Sequence, residues 1–396
     1  MMKSAIFFTT LLLSLTGSAI ADDATSARKT TTGLPPAKDM LFWTPAQQAV
    51  AFKSFDRIYA SRTVHHGSDV LALPKGPEMT VKYDDGGVIN GTDDFMRANH
   101  VFGLLIIQKG HIRLERYLHG LKSTDRWVSF SMVKSVTSTL VGAAVADGKI
   151  QSVDDEVSKY VPELAHSGYQ GVTIRQVLNM SSGVKWNEDY LDRASDTNFI
   201  VNVLAERRSG ELLRHQAGLP NAWKPDSKFE YNSGNSHLLG VVISRATGKD
   251  LADYLSEKIW KPAGMEADAT WVTDGDTGQE FAGCCLNATL RDFGRFGLFV
   301  MHNGERGSQD VLPKGWMQQA TSGSPASKDY SFQWWLIPEK HLFEALGVFG
   351  QTIVISPADE TVVVALSTWP KPLVKAATTR LNRYIDGVLA AMRQEH

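Results

Sequence analysis

The stretch Phe130-Ser131-Met132-Val133-Lys134-Ser135-Val136-Thr137-Ser138 sets a serine and a lysine three positions apart at the head of a long run of small and apolar residues. On a helix, positions i and i+3 share a face, so the Lys134 amine reaches the Ser131 hydroxyl and helps to remove its proton. A helix N-terminus adds unpaired backbone N–H groups and the positive end of the dipole, both favourable to charge building on an attacked carbonyl oxygen. The predicted helix runs through residues 140–146 and stops at Asp147-Gly148, and its small residues suit a buried central helix.

Spacing alone does not single out this pair. Ser-x-x-Lys occurs three times, at Ser26, Ser131 and Ser182, and about one or two matches are expected by chance in a chain of this composition. Ser26 lies just past an apolar leader, and Ser182 is followed by Gly183, a helix-stopping residue that leaves no continuous turn to hold Lys185. Only Ser131 opens a helix.

Outward from that helix, the chain of 396 residues is long enough for one large composite core. Lys3, the apolar run over residues 5–15 and Ala19-Ile20-Ala21 have the form of a secretory signal over residues 1–21, with the mature protein starting at Asp22. A periplasmic or secreted protein is expected. No later stretch has the ~18 apolar residues of a membrane span. Lys+Arg 41 against Asp+Glu 43 leaves a net charge of −2 with no basic tract, which argues against a nucleic-acid partner. The two cysteines are the neighbours Cys284 and Cys285, so no long-range disulfide staples the fold; they are either a vicinal disulfide or a pair of buried thiols. Nothing in the sequence sets an oligomeric state.

Residues 22–45, rich in Thr, Ala, Lys and Pro, read as a flexible lead-in with little structure of its own, and the catalytic domain is placed at 46–396. Residues 101–108 and 112–117, joined across Lys109-Gly110-His111, read as a β-hairpin. Helices are expected after the capping box Thr173-Ile174-Arg175-Gln176, and over residues 196–207, 236–246, 251–260 and from Thr289 towards His302. Strand patterns return at 331–336, 351–356 and 361–366, and an amphipathic helix closes the chain over about 374–392. Strands at both ends with helices between them imply an α+β fold: one antiparallel sheet flanked by helices (about 85–150 and 286–396), and an inserted all-helical lobe (about 151–285). The cleft should lie where the two meet.

A serine and a lysine still need a proton donor for the leaving group and a second donor for the oxyanion. Tyr231, in Phe229-Glu230-Tyr231-Asn232-Ser233-Gly234-Asn235, sits among turn residues just before a helix, where its phenol can project into a cleft. With its pKa lowered by the Lys134 ammonium, it would act as general base in acylation and then as general acid. Gly347-Val348-Phe349-Gly350-Gln351 introduces a late strand, and its glycines permit close backbone approach to substrate. The N–H groups of Ser131 and Val348 are the candidate oxyanion donors.

These motifs together resemble the serine beta-lactamase superfamily, in the branch of class C beta-lactamases, D-alanyl-D-alanine carboxypeptidases, carboxylesterases and 6-aminohexanoate-dimer hydrolases. The resemblance runs from about Val101 to the last helix: the tetrad at Ser131–Lys134, the tyrosine motif at Tyr231–Ser233 and the third motif at Ala345-Leu346-Gly347. It implies a beta-lactamase/transpeptidase-like fold without cofactor or metal, and a small-molecule amide or ester as substrate. Two departures point within the branch. Ser233 replaces the asparagine usual in class C enzymes, and Ala345-Leu346-Gly347 replaces the Lys-Thr-Gly that holds a substrate carboxylate. Both weaken a beta-lactam or peptidoglycan substrate, and both are similar to the 6-aminohexanoate-dimer hydrolases and their esterase relatives. That likeness implies substrate contacts from Ser233, Gly347 and Tyr190, with Asp192 or Asp196 holding a cationic substrate end.

The expectation is an exported serine hydrolase of small amides or esters acting through an acyl-enzyme on Ser131. The alternatives are a beta-lactamase or D-alanyl-D-alanine carboxypeptidase, and a catalytically silent binder of peptidoglycan or amides. No Gly-x-Ser-x-Gly elbow, His-Glu-x-x-His zinc spacing, phosphate loop or dinucleotide fingerprint occurs.

Overall fold

Two strands from early in the chain pair with five from its end. In the computed structural model, which describes residues 32–306 and 309–394, β1 (Val101–Gln108) and β2 (His111–Tyr117) form the early hairpin. Lys109 and Gly110, both with positive φ, make its two-residue turn, so His111 is already paired with Gln108 rather than in the loop. The late strands are β3 (Tyr330–Ser331), β4 (Trp334–Ile337), β5 (Leu342–Leu346), β6 (Thr352–Ser356) and β7 (Thr361–Ser367). Their spatial order is β3-β4-β5-β6-β7-β1-β2, antiparallel throughout. The expected strand over 331–336 is thus two strands, because Phe332 and Gln333 adopt left-handed φ of 44° and 64° and turn the chain between them.

Strand alternation sorts the sheet's side chains into two cores. Leu105, Ile107, Ile353, Ile355, Val362 and Val364 face the larger core, which includes Phe293 and Phe296 from the helix Leu290–Met301. Leu104, Ile106, Val354, Val363 and Ala365 face Leu381, Tyr384, Ile385 and Val388 of the C-terminal helix Lys375–Gln394. With both faces covered, β1 and β7 read as near-continuous apolar runs.

Residues 118–329 are inserted between β2 and β3. They contain α1 (Val133–Ala146), α2 (Asp196–Glu206), α3 (Ser233–Thr247) and α4 (Leu290–Met301); the C-terminal helix is α5. The capping box at Thr173 is made in full, with reciprocal bonds of 3.2 Å and 3.0 Å to Gln176, but its helix ends at Leu178. One strand, Ala269–Val272, falls in the span expected to be helical throughout. It belongs to a second antiparallel sheet in the order Ser61–Val64, Ala269–Val272, Leu286–Ala288, Trp127–Val128. The last of these strands delivers the chain to Ser131, and Ser129 ties it down: its N–H donates to Leu286 O at 2.8 Å and its Oγ accepts from Leu286 N at 3.1 Å.

The expectation of little structure before residue 46 does not hold for residues 37–45. Ala37–Phe42 is a 3₁₀ helix, Met40, Leu41 and Trp43 are buried, and Thr44 caps the helix Pro45–Ala51 through a capping box with Gln47. Apolar side chains spaced through that segment suffice to dock it. The signal segment 1–21 and the lead-in up to residue 31 lie outside the described residues. Among the described residues, no helix is long and apolar enough to cross a membrane.

Candidate active site

Ser131 lies on a single 3₁₀ turn, Phe130–Met132, that feeds into α1. The turn is forced by Phe130, whose φ of 45° is left-handed and strained for a residue with a side chain. Aromatic packing holds it there: the Phe130 ring lies 5.0 Å from Phe52, 5.8 Å from Phe55 and 5.0 Å from Phe349, centroid to centroid.

One helical turn on, Lys134 is buried and reaches three oxygens: Ser131 Oγ at 3.0 Å, Ser233 Oγ at 3.0 Å and the Gly283 carbonyl at 2.7 Å. Burial lowers its pKa to about 8, against a raising pull from the Glu188 carboxylate. The three partners match the three protons of an ammonium, one of which its depressed pKa lets go readily. Ser233 Oγ gives its own proton to Glu188 Oε1 at 2.6 Å and therefore accepts from Lys134, and the Gly283 carbonyl can only accept. Lys134 Nζ thus donates to all three oxygens, and loss of one proton near pH 8 leaves a lone pair that can take the proton of the Ser131 hydroxyl.

Tyr231 stacks on Trp335 (5.7 Å, 21°), and the Lys134 nitrogen lies 5.1 Å from its ring centroid. The expected lowering of its pKa is not found. Burial pushes the phenol well up, the Glu188 carboxylate adds to the rise, and the Ser131 hydroxyl pulls only partly the other way. The one lowering contribution, the hydrogen bond with Ser131, is too small to offset desolvation. Tyr231 is therefore a protonated donor at neutral pH.

Gly347 lines the cavity beside Ser131 and also serves a second close approach. A Cβ there would stand 2.8 Å from the Ser129 carbonyl and 2.7 Å from Gln351 Oε1. The missing side chain lets β5 close on the nucleophile segment itself. Gln351 fixes the turn, accepting from Gly347 N at 2.8 Å through its backbone carbonyl and donating from Nε2 to Ser367 O at 3.0 Å. The Val348 N–H makes no hydrogen bond to protein among the described residues, and Val348 lines the same cavity as Ser131.

That cavity, of about 550 Å³, is mostly apolar and is walled by Tyr190, Tyr231, Trp335, Leu346 and Trp369, with the exposed Leu191 and Leu373 also lining it. Tyr190 belongs to it, its hydroxyl donating to Glu188 Oε1 at 2.9 Å. Asp192 and Asp196 do not line it. Asp192 is exposed and accepts from Asn187 Nδ2 at 3.2 Å and Ala194 N at 2.9 Å. Asp196 accepts from the Asn187 N–H at 2.7 Å and pairs with His215 at 2.6 Å, contacts that outweigh burial and hold its pKa low. Both carboxylates brace their own loop.

Two carboxylates escaped the reading of the sequence. Glu188 accepts from Ser233 N at 2.9 Å, Ser233 Oγ, Tyr190 and Trp186 Nε1, and so sits one hydroxyl away from Lys134. Glu344, on β5, lines the cavity. Cys284 and Cys285 form a vicinal disulfide directly after Gly283, whose carbonyl holds Lys134. Among the described residues no group of three or more His, Cys, Asp and Glu side chains is placed to hold a metal ion.

Comparison with known proteins agrees with this geometry. The profile of the Beta-lactamase family matches residues 92–385. The chain is 30% identical over 293 residues to the 6-aminohexanoate-dimer hydrolase of Paenarthrobacter ureafaciens, an alignment covering 68% of this chain and 72% of that one. Among solved structures, a Bacillus anthracis protein provisionally described as a 6-aminohexanoate-dimer hydrolase superposes with a TM-score of 0.78 at 24% identity, over 88% of this chain and 95% of that one. A family VIII carboxylesterase superposes with a TM-score of 0.59 at 15% identity, over 76% and 96%. At these identities the two structures show a shared fold.

Proposed function

Because the chain belongs to the beta-lactamase family, as a serine hydrolase similar to 6-aminohexanoate-dimer hydrolase, we propose that it cleaves small linear amides or esters through an acyl-enzyme on Ser131. The observation that carries this reading is the trio of oxygens, Ser131 Oγ among them, around a buried Lys134 whose depressed pKa makes the free base accessible.

Ser131 Oγ attacks the substrate carbonyl carbon as its proton passes to Lys134 Nζ. The N–H groups of Ser131 and Val348 take the oxyanion. As the tetrahedral adduct collapses, the bond to the leaving nitrogen or oxygen breaks and the Tyr231 hydroxyl supplies its proton; the Lys134 ammonium then reprotonates the phenolate. Water attacks the acyl-enzyme with the same groups in reverse, restoring Ser131 and releasing the acid.

The apolar cavity supports an aliphatic substrate over a beta-lactam or a peptidoglycan stem. Ala345 packs into the core and Leu346 lines the cavity, so neither offers a cation or hydroxyl to a substrate carboxylate. The test is hydrolysis of p-nitrophenyl butyrate beside the Ser131→Ala variant, with mass spectrometry of the quenched enzyme. Turnover and a butyryl adduct on the peptide containing Ser131, both lost in the variant, are expected. Equal turnover in the variant overturns the assignment, and absence of turnover and adduct in either protein favours a silent binder. Export is part of the proposal, and the N-terminus of secreted product should then begin at Asp22.

A further inference from the structure

The segment Gly283-Cys284-Cys285-Leu286 touches the Ser131–Lys134 turn at both of its ends. At one end the Gly283 carbonyl accepts from Lys134 Nζ at 2.7 Å. At the other, Leu286 exchanges two hydrogen bonds with Ser129, two residues before Ser131: the Ser129 N–H donates to Leu286 O at 2.8 Å, and the Leu286 N–H donates to Ser129 Oγ at 3.1 Å. Cys284 and Cys285 are all that separates these anchors, and a disulfide joins them. Both are buried, and Cys284 lines a small cavity of about 40 Å³ together with Gly283, Ser131, Ser233 and Val348. Just upstream, Thr137 of α1 donates to the Ala282 carbonyl at 3.0 Å, so the segment is also tied to the helix that carries the lysine.

A ring through two adjacent residues removes the torsional freedom of the peptide between them. That constraint matters because Cys285 holds a left-handed φ of 78°, a conformation that a residue with a side chain avoids unless its surroundings impose it. Trp271 Nε1 donates to the Cys284 carbonyl and the Val272 N–H to the Cys285 carbonyl, each at 3.2 Å, whereas among the described residues the Gly283 carbonyl accepts from Lys134 alone. We propose that the Cys284–Cys285 disulfide is a positioning element of the Ser131 site: the ring aims the Gly283 carbonyl at Lys134 and thereby holds the amine against the serine. The inference rests on the hydrolase reading above and adds a redox dependence to it. A dithiol opens the ring: the S–S bond breaks, each sulfur gains one electron and one proton, and the two thiols of the reductant become a disulfide. Cys285 then leaves the left-handed region, the Gly283 carbonyl turns away, and Lys134 loses an acceptor that stabilises its ammonium form. Glu188 and Tyr231, the titratable groups facing Lys134, are held instead through Ser233, Tyr190 and Trp335.

The test opens the ring in two ways, with dithiothreitol on the wild-type protein and with the double variant Cys284→Ala/Cys285→Ala. The chain holds no other cysteine, so the reductant acts on this bond alone. Mass spectrometry after alkylation in denaturant counts the thiols, and two free thiols in the untreated protein overturn the proposal at once. Lys134 is followed without turnover, through the Cε resonance of protein labelled with carbon-13 at the lysine ε position, assigned by its loss in Lys134→Met. With the ring closed it should titrate at about 8, and with the ring open at about 7.5 or lower, since the ammonium has lost an acceptor. On p-nitrophenyl butyrate, kcat should fall about tenfold or more with KM nearly unchanged. A titration unmoved in the reduced wild-type protein overturns the proposal whether or not the variant folds, as does an undiminished kcat. A titration that moves in a protein without esterase turnover overturns the hydrolase reading alone.

Discussion

Phe130 and Phe349 pack with ring centroids 5.0 Å apart and planes inclined at 59°. The first immediately precedes Ser131, the proposed nucleophile, and the second immediately follows Val348. A single aromatic contact thus registers the two proposed oxyanion donors against each other, although one comes from the inserted segment and the other from the main sheet. Phe52 completes the cluster, 5.0 Å from Phe130 and 5.6 Å from Phe349.

Phe349→Leu should therefore cost more in catalysis than its volume change suggests. The aliphatic replacement keeps the core apolar, with a stability loss of about 1 to 3 kcal/mol. A donor displaced by about 1 Å is expected to lower kcat by about 100-fold. Steady-state kinetics on p-nitrophenyl butyrate, alongside a thermal melt, separate the two effects. A variant with an unchanged kcat would show that the cluster does not set the oxyanion geometry.

The pH profile should carry the mark of Lys134. Its pKa of about 8 is depressed by burial, and the free base is the active form, so kcat/KM rises with pH through a limb near 8 and levels off above it. Glu188 opposes that depression. Glu188→Gln should move the limb to lower pH, since removing the negative charge disfavours the ammonium. A limb that moves up, or a rate that falls through this range, would mean that the protonated lysine is required.

Stability is sensitive where α4 rides on the sheet. A Cβ at Gly297 would meet Val362 Cγ1 at 2.5 Å and Ile353 Cγ2 at 3.2 Å, both on fully buried strands. Gly297→Ala gains about 1 kcal/mol of helix propensity, but overpacking a β-branched core costs about 1 to 3 kcal/mol. A net loss of about 1 kcal/mol is expected in chemical denaturation. Gly218→Ala, at the end of the helix Glu211–Gly218 with nothing within 4 Å of the added carbon, is the control and should be neutral or mildly stabilising.

Local chemistry was the legible part of this chain. Ser131, Lys134 and the helix that carries the lysine are neighbours in sequence, and Tyr231 announces itself by its turn residues. Strands β1, β6 and β7 follow from near-continuous apolar runs, and β2 from its alternation and the turn before it. Left-handed residues were not legible: Phe130, Phe332 and Gln333 have side chains that normally avoid that conformation, and only tertiary packing holds them in it. Glu188 was hidden because its role depends on Ser233, which lies 45 residues away. Glu344 was hidden because its meaning depends on which face of β5 the cavity occupies. Asp192 and Asp196 misled for the converse reason: acidic residues in a loop hydrogen-bond the loop's own backbone as readily as a ligand.

The pairing of β7 with β1 has a consequence in time. A ribosome makes Ser131 and its lysine long before Val348, and β1 long before the strand that lies beside it. Until that late segment docks, the nascent chain carries the proposed nucleophile with only one of its two proposed oxyanion donors. On the proposed mechanism the chain is therefore inert through most of its own synthesis, and any product cut short before Val348 stays unarmed.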